Sequence, residues 1–258
     1  MKKSLLLFII LFLTPITHTK NVVQISIPKC GTHLLRKCIC SLMNSSPKEG
    51  GGMNYHGTLE SFNHFCQNGK HSSHHLFFNK KFEPCLHNDK TAFFFIYRDP
   101  RDQIVSFAYF MLKIPNSWIR AKEIPFEELI MELITSGKIY ENSPPCKNIN
   151  DLYQKYIPWL YAPHVCALRF EDLIGPKGGG NLEAQLNSIA KIAEHLGIFL
   201  TENQMLEKAN ALFGGTWTFR KGQIGAWKTH FNGDHKAAFK EVAGQLLIDL
   251  GYEESFDW

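Results

Sequence analysis

The stretch VVQISIPKCGTH, residues 22–33, decides the fold of this 258-residue chain. Residues 22–27 are apolar and β-branched, which predicts a buried strand, and the Pro-Lys-Cys-Gly-Thr turn after them ends it. From Thr32 to about residue 43, apolar residues recur at helical spacing and predict an amphipathic helix. A strand, a tight turn and a helix in this order form the unit from which parallel α/β folds are built.

The rest of the chain continues this alternation. Residues 91–97, TAFFFIY, are apolar throughout, as in a strand covered on both faces, and residues 165–170 predict another strand. Residues 49–90 are rich in Gly, His and Asn and are predicted to be irregular. Helices are predicted over residues 100–111, 125–134, 152–160, 182–196, from 201 onward, and 234–251. The sequence therefore predicts a three-layer α/β fold with a central, mainly parallel sheet flanked by helices.

Composition narrows the class of protein. With 44% hydrophobic and 13% aromatic residues the chain can bury a core, which excludes disordered and fibrous classes. The net charge of +4 is smaller and less clustered than a nucleic-acid groove requires, so no nucleic-acid partner is predicted. It suits a compact anionic ligand bound at one place. Seven cysteines spread over this length do not suggest a small disulfide scaffold.

The first residues have the layout of a targeting segment. A basic start, Met1-Lys2-Lys3, precedes an unbroken run of Leu, Ile and Phe over residues 5–13, which Pro15 ends. Such a run is too short to span a bilayer, which takes about 20 residues. Residues 1–19 therefore predict a signal peptide or an N-terminal hydrophobic anchor, and residues 20–258 a single domain. The protein would be exported or membrane-associated; the alternative is a cytoplasmic protein whose first residues are buried.

The turn after the first strand has the chemistry of a phosphate cradle. A strand-to-helix junction presents backbone N–H groups and the positive end of a helix dipole to an anion. Lys29 adds a charge, Gly31 permits close approach of the backbone, and Thr32 adds a hydroxyl donor. The spacing is not that of the Walker motif, G-x-x-x-x-G-K-[ST].

Two further segments carry cations suited to a phosphate. Arg98 falls at the end of the strand 91–97, where open α/β sheets bind ligands. Ser106 lies two turns into the following helix and can share a phosphate with Arg98 if the ligand lies along that helix. Near the C-terminus, Arg220 and Lys221 precede a glycine, as in a loop that folds over a phosphate. The alternative interpretation of both segments is solvated surface charge.

A histidine- and cysteine-rich segment invites a metal-site interpretation. Seven His and Cys residues lie within residues 64–87, yet they form loose H-x-C and C-x-H pairs in place of the tight C-x₂-C spacing of zinc sites. We therefore expect no metal. Cys38 and Cys40 lie two apart on a predicted helix and are expected to be core residues.

Taken together and in this order, the motifs resemble the sulfotransferase family, which transfers a sulfuryl group from 3′-phosphoadenosine 5′-phosphosulfate (PAPS). The resemblance extends over residues 22–231, and residues 170–173, Phe-Glu-Asp-Leu, look like the family's aromatic-Glu-Asp segment. It implies a P-loop-like fold related to that of nucleotide kinases. It also implies PAPS as co-substrate, 3′-phosphoadenosine 5′-phosphate (PAP) as product, and no metal requirement.

The resemblance also implies roles for individual residues. The residues matching the loop that holds the 5′-phosphosulfate are Lys29, Cys30, Gly31, Thr32 and His33. The residues matching those around the 3′-phosphate are Arg98, Ser106, Arg220, Lys221 and Gly222. His75, which precedes a leucine, matches the catalytic base, with His74 as the adjacent alternative. Lys29 would offset charge on the leaving phosphate oxygen during in-line transfer.

The chain departs from the family pattern at three positions. Cys30 stands where serine or another small residue is usual, His33 where threonine is common, and Ala226 where an aspartate often precedes the tryptophan. A thiol at Cys30 facing the cofactor pocket would make the enzyme sensitive to oxidation. Two alternatives stay open. A nucleotide-binding kinase-like phosphotransferase shares the strand–loop–helix start, and Cys30 and Ala226 leave open a non-catalytic exported binding protein on the same fold.

The acceptor is a hydroxyl compound of open identity: a small lipophilic alcohol, a glycan or a protein tyrosine. Variable loops over residues 50–81 and 115–150 are expected to build its pocket. The aromatic residues expected to line it are Phe77, Phe78, Phe82, Phe110 and Trp118. The sequence leaves the oligomeric state open.

Overall fold

The computed structural model describes residues 20–45, 58–68, 71–113, 122–136, 146–216 and 219–258. Within these residues, four strands form one sheet: β1 Asn21–Ser26, β2 His71–His74, β3 Thr91–Tyr97 and β4 Val165–Arg169. Every neighbouring pair is parallel, and the strand order is β2-β1-β3-β4. The predicted α/β fold with a parallel sheet is confirmed.

Helices lie on both faces of this sheet. Those of the described residues are α1 Thr32–Leu42, α2 Leu59–Asn68, α3 Glu83–Leu86, α4 Pro100–Lys113, α5 Phe126–Ser136, α6 Ile149–Gln154, α7 Pro158–Tyr161, α8 Phe170–Leu173, α9 Leu182–Leu196, α10 Glu202–Leu212 and α11 Gly233–Asp249. Short 3₁₀ segments cover Lys80–Phe82, Pro176–Gly178 and Ala226–Thr229.

Alternation along the central strands divides the core into two layers. Phe93 and Phe95 of β3 face a cluster that includes buried residues of α4, α5 and α11. Phe94 and Ile96 face the opposite cluster, which includes α1, α9 and α10. Because side chains alternate across a strand, one apolar run supplies both halves of the core. This is the three-layer arrangement expected of an α/β fold.

One predicted helix is interrupted. Residues 152–160 were expected to form a single helix, but α6 ends at Gln154 and α7 begins at Pro158. Proline has no backbone N–H to donate and its ring clashes with the preceding turn, so Pro158 starts a helix and cannot continue one. The predicted helix over 182–196 and the capping box of Thr201 with Gln204 are both observed.

The prediction that residues 49–90 are irregular is wrong for the described part, which contains α2, β2 and α3. Strand β2 has the sequence His-Ser-Ser-His and all four residues are buried. The Gln24 side chain of β1 makes this possible, because its Oε1 lies 3.3 Å from His71 Nε2 and 3.5 Å from Ser73 Oγ. These contacts pair the buried polar atoms of His71 and Ser73, so a strand without hydrophobic residues forms beside β1.

Several predictions fall outside the described residues. These are the targeting segment over residues 1–19, the parts of the expected acceptor loops over 50–57, 69–70, 115–121 and 137–145, and with them Trp118. Among the helices of the described residues, none is long and apolar enough to cross a membrane.

Candidate functional site

A cleft opens at the carboxyl ends of β1 and β3, where open parallel sheets bind ligands. The predicted site residues that line it are Lys29, Gly31, Thr32, His33, His75, Arg98, Ser106, Arg220, Lys221 and Gly222. These residues come from four segments that are far apart in the chain. The fold therefore brings the three predicted phosphate segments and the predicted base around one space.

The turn between β1 and α1 is held in an unusual backbone conformation. Lys29 has φ 68°, and Gly31, the N-cap of α1, has φ 103°. A Cβ at Gly31 would lie 2.8 Å from Cδ2 of Phe170 and in a region of φ that favours glycine. The Thr32 hydroxyl hydrogen-bonds to that of Ser26 at the end of β1, with 2.7 Å between the two oxygens. The first turn of α1 is thus fixed at the wall of the cleft.

Replacing Gly31 by alanine is expected to lower the free energy of unfolding by about 1–3 kcal/mol, because both the positive φ and the Phe170 ring oppose a Cβ. Urea unfolding followed by circular dichroism measures the change. Gly233→Ala is the matched control: Gly233 begins α11 and an added Cβ there meets no atom within 4 Å. Equal stability of the two variants would contradict the argument.

Lys29 places its charge over an aromatic ring in the cleft. Its Nζ lies 4.1 Å from the centroid of the Phe110 ring, a cation–π distance. Burial, together with the nearby positive charges of Arg98 and Lys113, lowers the pKa of Lys29 to about 8. The ammonium is therefore still mostly protonated at pH 7.

His75 lies directly after β2 and is held by the end of β1. Its Nδ1 is 2.7 Å from the carbonyl oxygen of Ser26, which can only accept, so Nδ1 carries the proton in the neutral ring and Nε2 is the basic nitrogen. Burial lowers the pKa of His75 to about 4; His33 and Lys29 also lower it, against the effect of the Ser26 carbonyl. The imidazole is neutral at pH 7, the state that can accept a proton.

His74 has a different environment. It is the last residue of β2, its ring centroid lies 4.3 Å from that of Phe65, and it is not among the residues that line the cleft. Successive residues of a strand point to opposite faces, so the two adjacent histidines are separated. The geometry favours His75 over His74 as the group that can meet a ligand.

The Arg98 guanidinium, between β3 and α4, lies over an aromatic ring. Its guanidinium carbon is 4.1 Å from the centroid of the Phe170 ring, Nη2 donates to the Gln223 carbonyl at 2.7 Å, and the same nitrogen pairs with Asp102 at 3.3 Å. Its Nε is buried and has no hydrogen-bond partner within the described part of the chain. One donor of this arginine is thus left for another acceptor.

The neighbouring Arg101 points away from the cleft. It pairs with Asp99 at 2.8 Å and with Glu253 at 2.5 Å, and its guanidinium carbon lies 4.0 Å and 4.5 Å from the ring centroids of Trp227 and Trp258. These contacts fix the turn from behind and tie it to the C-terminal residues. Of the two arginines in the Arg-Asp-Pro-Arg-Asp segment, Arg98 alone lines the cleft.

The segment after Phe219 forms the opposite wall of the cleft. Arg220 lies over the ring of Tyr109, with the guanidinium carbon 4.0 Å from the ring centroid. Gly222 has φ 60°, and a Cβ there would meet the Phe219 ring at 2.6 Å.

Two residues of the site were not predicted from the sequence. Asp102 holds the residues that follow Gly222, but an acid in the first turn of a helix is ordinarily interpreted as a helix-dipole effect. Phe170 was noted within a motif, but its stacking under Arg98 has no sequence signature.

The expectation that the Cys30 thiol faces the pocket is wrong. Cys30 is fully buried, its Sγ lies 3.5 Å from the Tyr153 hydroxyl, and its backbone N–H donates to the Ile27 carbonyl at 3.1 Å. Burial raises the pKa of this thiol to about 12. Since reactivity requires the thiolate, the predicted sensitivity to oxidation through Cys30 has no structural basis. Cys38 and Cys40 are buried, as expected of core residues.

Across residues 20–45, 58–68, 71–113, 122–136, 146–216 and 219–258, no group of three or more His, Cys, Asp or Glu side chains is arranged to hold a metal ion.

Comparison with known families identifies the family and the fold. The model of the family described as "Sulfotransferase domain" matches residues 19–251, about nine-tenths of the chain. The chain belongs to the sulfotransferase family. Among curated relatives, sulfotransferase 6B1 of Pan troglodytes is 27% identical over 269 residues, covering 90% of this chain and 80% of that protein. The human protein of the same name is 26% identical over the same shares.

Solved structures agree on the fold of this sulfotransferase. Mouse sulfotransferase SULT7A1 complexed with PAP has a TM-score of 0.62 at 17% identity and covers 90% of this chain and 87% of its own. Retinol dehydratase in complex with androsterone and the inactive cofactor PAP has a TM-score of 0.60 at 17% identity, with 88% and 80% covered. The predicted P-loop-like fold is confirmed. The family assignment confirms the predicted activity, that of a PAPS-dependent sulfotransferase.

Proposed function

We propose that this sulfotransferase moves the sulfuryl group of PAPS to a hydroxyl acceptor, with the donor held in the cleft described above and His75 as the base. One observation supports it most: four cations from three distant segments, Lys29, Arg98, Arg220 and Lys221, line one cleft together with a neutral histidine. A doubly phosphorylated nucleotide is the ligand that such a charge distribution suits.

The first turn of α1 would hold the 5′ end of the donor. Its backbone N–H groups and helix dipole favour an anion, and Gly31 lets the ligand approach the backbone. Thr32 and His33 line the same wall. Bound PAPS supplies the sulfuryl group. The Lys29 ammonium would offset the charge that develops on the departing phosphate oxygen.

The residues around Arg98 would hold the 3′-phosphate. The buried, unpartnered Nε of Arg98 is a donor that a phosphate oxygen would satisfy, and an unsatisfied buried donor is costly. Ser106 lies on α4 two turns from Arg98 and lines the same space. Arg220, Lys221 and Gly222 would close from the opposite wall.

His75 would take the proton from the hydroxyl group of the acceptor. The Ser26 carbonyl fixes the ring and leaves Nε2 as the basic nitrogen. The low pKa of His75, about 4, keeps the ring neutral across the physiological range.

The decisive assay is transfer of label from radiolabelled PAPS to a panel of hydroxyl acceptors. Incorporation of label by the wild-type protein, and its loss in a His75 variant, is the expected result. PAP binding without transfer to any acceptor would favour the non-catalytic binding protein. Magnesium-dependent use of ATP would favour the kinase-like alternative.

Of the described aromatic residues expected to line the acceptor pocket, Phe110 lines the cleft. The other aromatic residues expected there pack elsewhere: the rings of Phe78 and Phe82 lie 4.9 and 6.2 Å from that of Trp159, and Phe77 lies 5.0 Å from Tyr156. A hydroxyl acceptor with an apolar body would pack against Phe110.

We also propose that residues 1–19 export the protein or anchor it to a membrane, on the strength of their basic start and apolar run. An expressed full-length chain should appear in the exported or membrane fraction, and a chain that begins at Lys20 should stay in the cytoplasm. N-terminal sequencing would show whether the segment is removed. Full-length protein found in the cytoplasm would contradict the proposal and support the cytoplasmic alternative.

A further inference from the structure

Asp102 is an unexpected residue in the wall of an anion-binding cleft. Of the described residues that line the cleft, it is the one carboxylate, beside Lys29, Arg98, Arg220 and Lys221. A carboxylate facing a phosphate site repels the ligand. Its presence therefore needs a compensating role.

The contacts of Asp102 supply that role. Its side chain is completely buried, and three donors surround it: the Gly225 N–H at 2.8 Å to Oδ2, the Trp227 N–H at 2.9 Å to Oδ1, and Arg98 Nη2 at 3.3 Å to Oδ2. Both carboxylate oxygens are thus engaged by the protein. Hydrogen bonds to a charged acceptor in a buried site are stronger than neutral ones.

These bonds connect two parts of the proposed donor site. Gly225 and Trp227 lie directly after the closing segment that begins at Arg220, and Asp102 lies in the first turn of α4. The Gln223 carbonyl accepts from Arg98, which adds a second link between the same two walls. The Ile224 N–H donates to the Gly178 carbonyl at 2.9 Å, so the segment is also fixed on its outer side.

We propose that Asp102 is a positioning residue, which holds residues 220–227 against α4 so that Arg220, Lys221 and Gly222 face the donor. The inference rests on the proposed function only in identifying the occupant of the cleft as PAPS. Asp102 acts through the segment it binds and makes no contact with the donor. Losing it should weaken donor binding and leave the chemical step intact.

Hydrogen exchange of the full-length protein tests the positioning directly. The peptide covering residues 223–228 should be protected in the wild type without any ligand. In Asp102→Asn its exchange should be faster by about 10- to 100-fold, because the amide cannot accept from both N–H groups. The β3 peptide, residues 91–97, should be unchanged, and so should both peptides in Asp249→Asn, whose carboxylate lies on the exposed end of α11.

Unchanged exchange of residues 223–228 in Asp102→Asn would overturn the proposal. If the β3 peptide of that variant also loses protection, the variant has unfolded. The proposal is then tested by hydrogen exchange of the wild-type protein. Protection of the Gly225 and Trp227 amides in the wild type then supports the proposal, and exchange at the rate of an unstructured loop overturns it.

Kinetics provide the second readout. Asp102→Asn should raise KM for PAPS by about 10- to 100-fold with kcat near that of the wild type. A lower kcat with unchanged KM would overturn the proposal, since that is the effect of a general structural defect. If the wild type neither binds PAP nor transfers label, the proposed function fails, while hydrogen exchange still decides the role of Asp102.

Discussion

Replacing His75 by alanine is expected to lower kcat for sulfuryl transfer by about 10²- to 10⁴-fold, the usual contribution of a general base. The reason is geometric: the Ser26 carbonyl holds Nδ1–H of His75 at 2.7 Å, which leaves Nε2 to accept the proton of the acceptor. Label transfer from PAPS under saturating donor measures the change. PAP affinity should stay near that of the wild type, because the cations that bind the donor are unchanged.

His75→Asn is the sharper variant, because the asparagine amide can still donate to the Ser26 carbonyl while it has no basic nitrogen. It should fold as the wild type does and be as inactive as His75→Ala. His74→Asn is the matched control, since His74 packs on Phe65 and not on the cleft. Loss of transfer in the His74 variant with activity retained by both His75 variants would contradict the assignment.

Replacing Lys29 by methionine is expected to lower kcat by about 10²- to 10³-fold, the effect of removing one preorganised group that stabilises developing negative charge. Methionine keeps most of the apolar side chain, so packing against Phe110 is conserved. Circular dichroism and unfolding by urea should show a folded protein. Lys90→Met is the control, because Lys90 precedes β3 at the opposite end of the sheet; equal loss in both variants would contradict the role of Lys29.

The pKa of Lys29 also predicts a pH profile. The enzyme is active when Lys29 is protonated, so activity is present below a pH of about 8 and falls as the pH rises through that value. At the acidic end, activity should fall only near pH 4, where His75 becomes protonated. Lys29→Arg keeps its charge at all these pH values, since the pKa of arginine exceeds about 12. With an aliphatic alcohol as acceptor, any residual activity of this variant should lack the alkaline decrease; a wild-type profile flat to pH 10 would contradict the prediction.

The parallel sheet was predictable because β1 is rich in β-branched apolar residues and β3 is almost wholly apolar, as expected of strands covered on both faces. Strand β2 was not, because its sequence His-Ser-Ser-His has no hydrophobic pattern. Its stability depends on Gln24, 47 positions before the partner atom on His71, and such a partnership has no local signal. The break at Pro158 has a local cause in the sequence, because proline starts a helix and cannot continue one.

Part of the candidate site was likewise predictable from the sequence and part was not. Lys29 and Arg98, at the ends of predicted strands, identified one side of the cleft, since the topology of a parallel sheet brings those ends together. The direction of each side chain could not be predicted from the sequence. Cys30 points into the core and Arg98 into the cleft, although both lie in turns with phosphate-binding motifs. The role of Asp102 depends on backbone N–H groups more than 120 positions away, so only the folded structure shows it.

The convergence of cations on one doubly phosphorylated nucleotide is tested most directly by calorimetric titration with PAP and with AMP, which lacks the 3′-phosphate. We expect the Kd of PAP to be lower than that of AMP by at least about 100-fold, the effect of two or more charge-assisted hydrogen bonds. Arg220→Met should narrow this ratio by weakening PAP binding alone. Equal affinity of the wild type for PAP and AMP would contradict the assignment of Arg98, Arg220 and Lys221 to the 3′-phosphate.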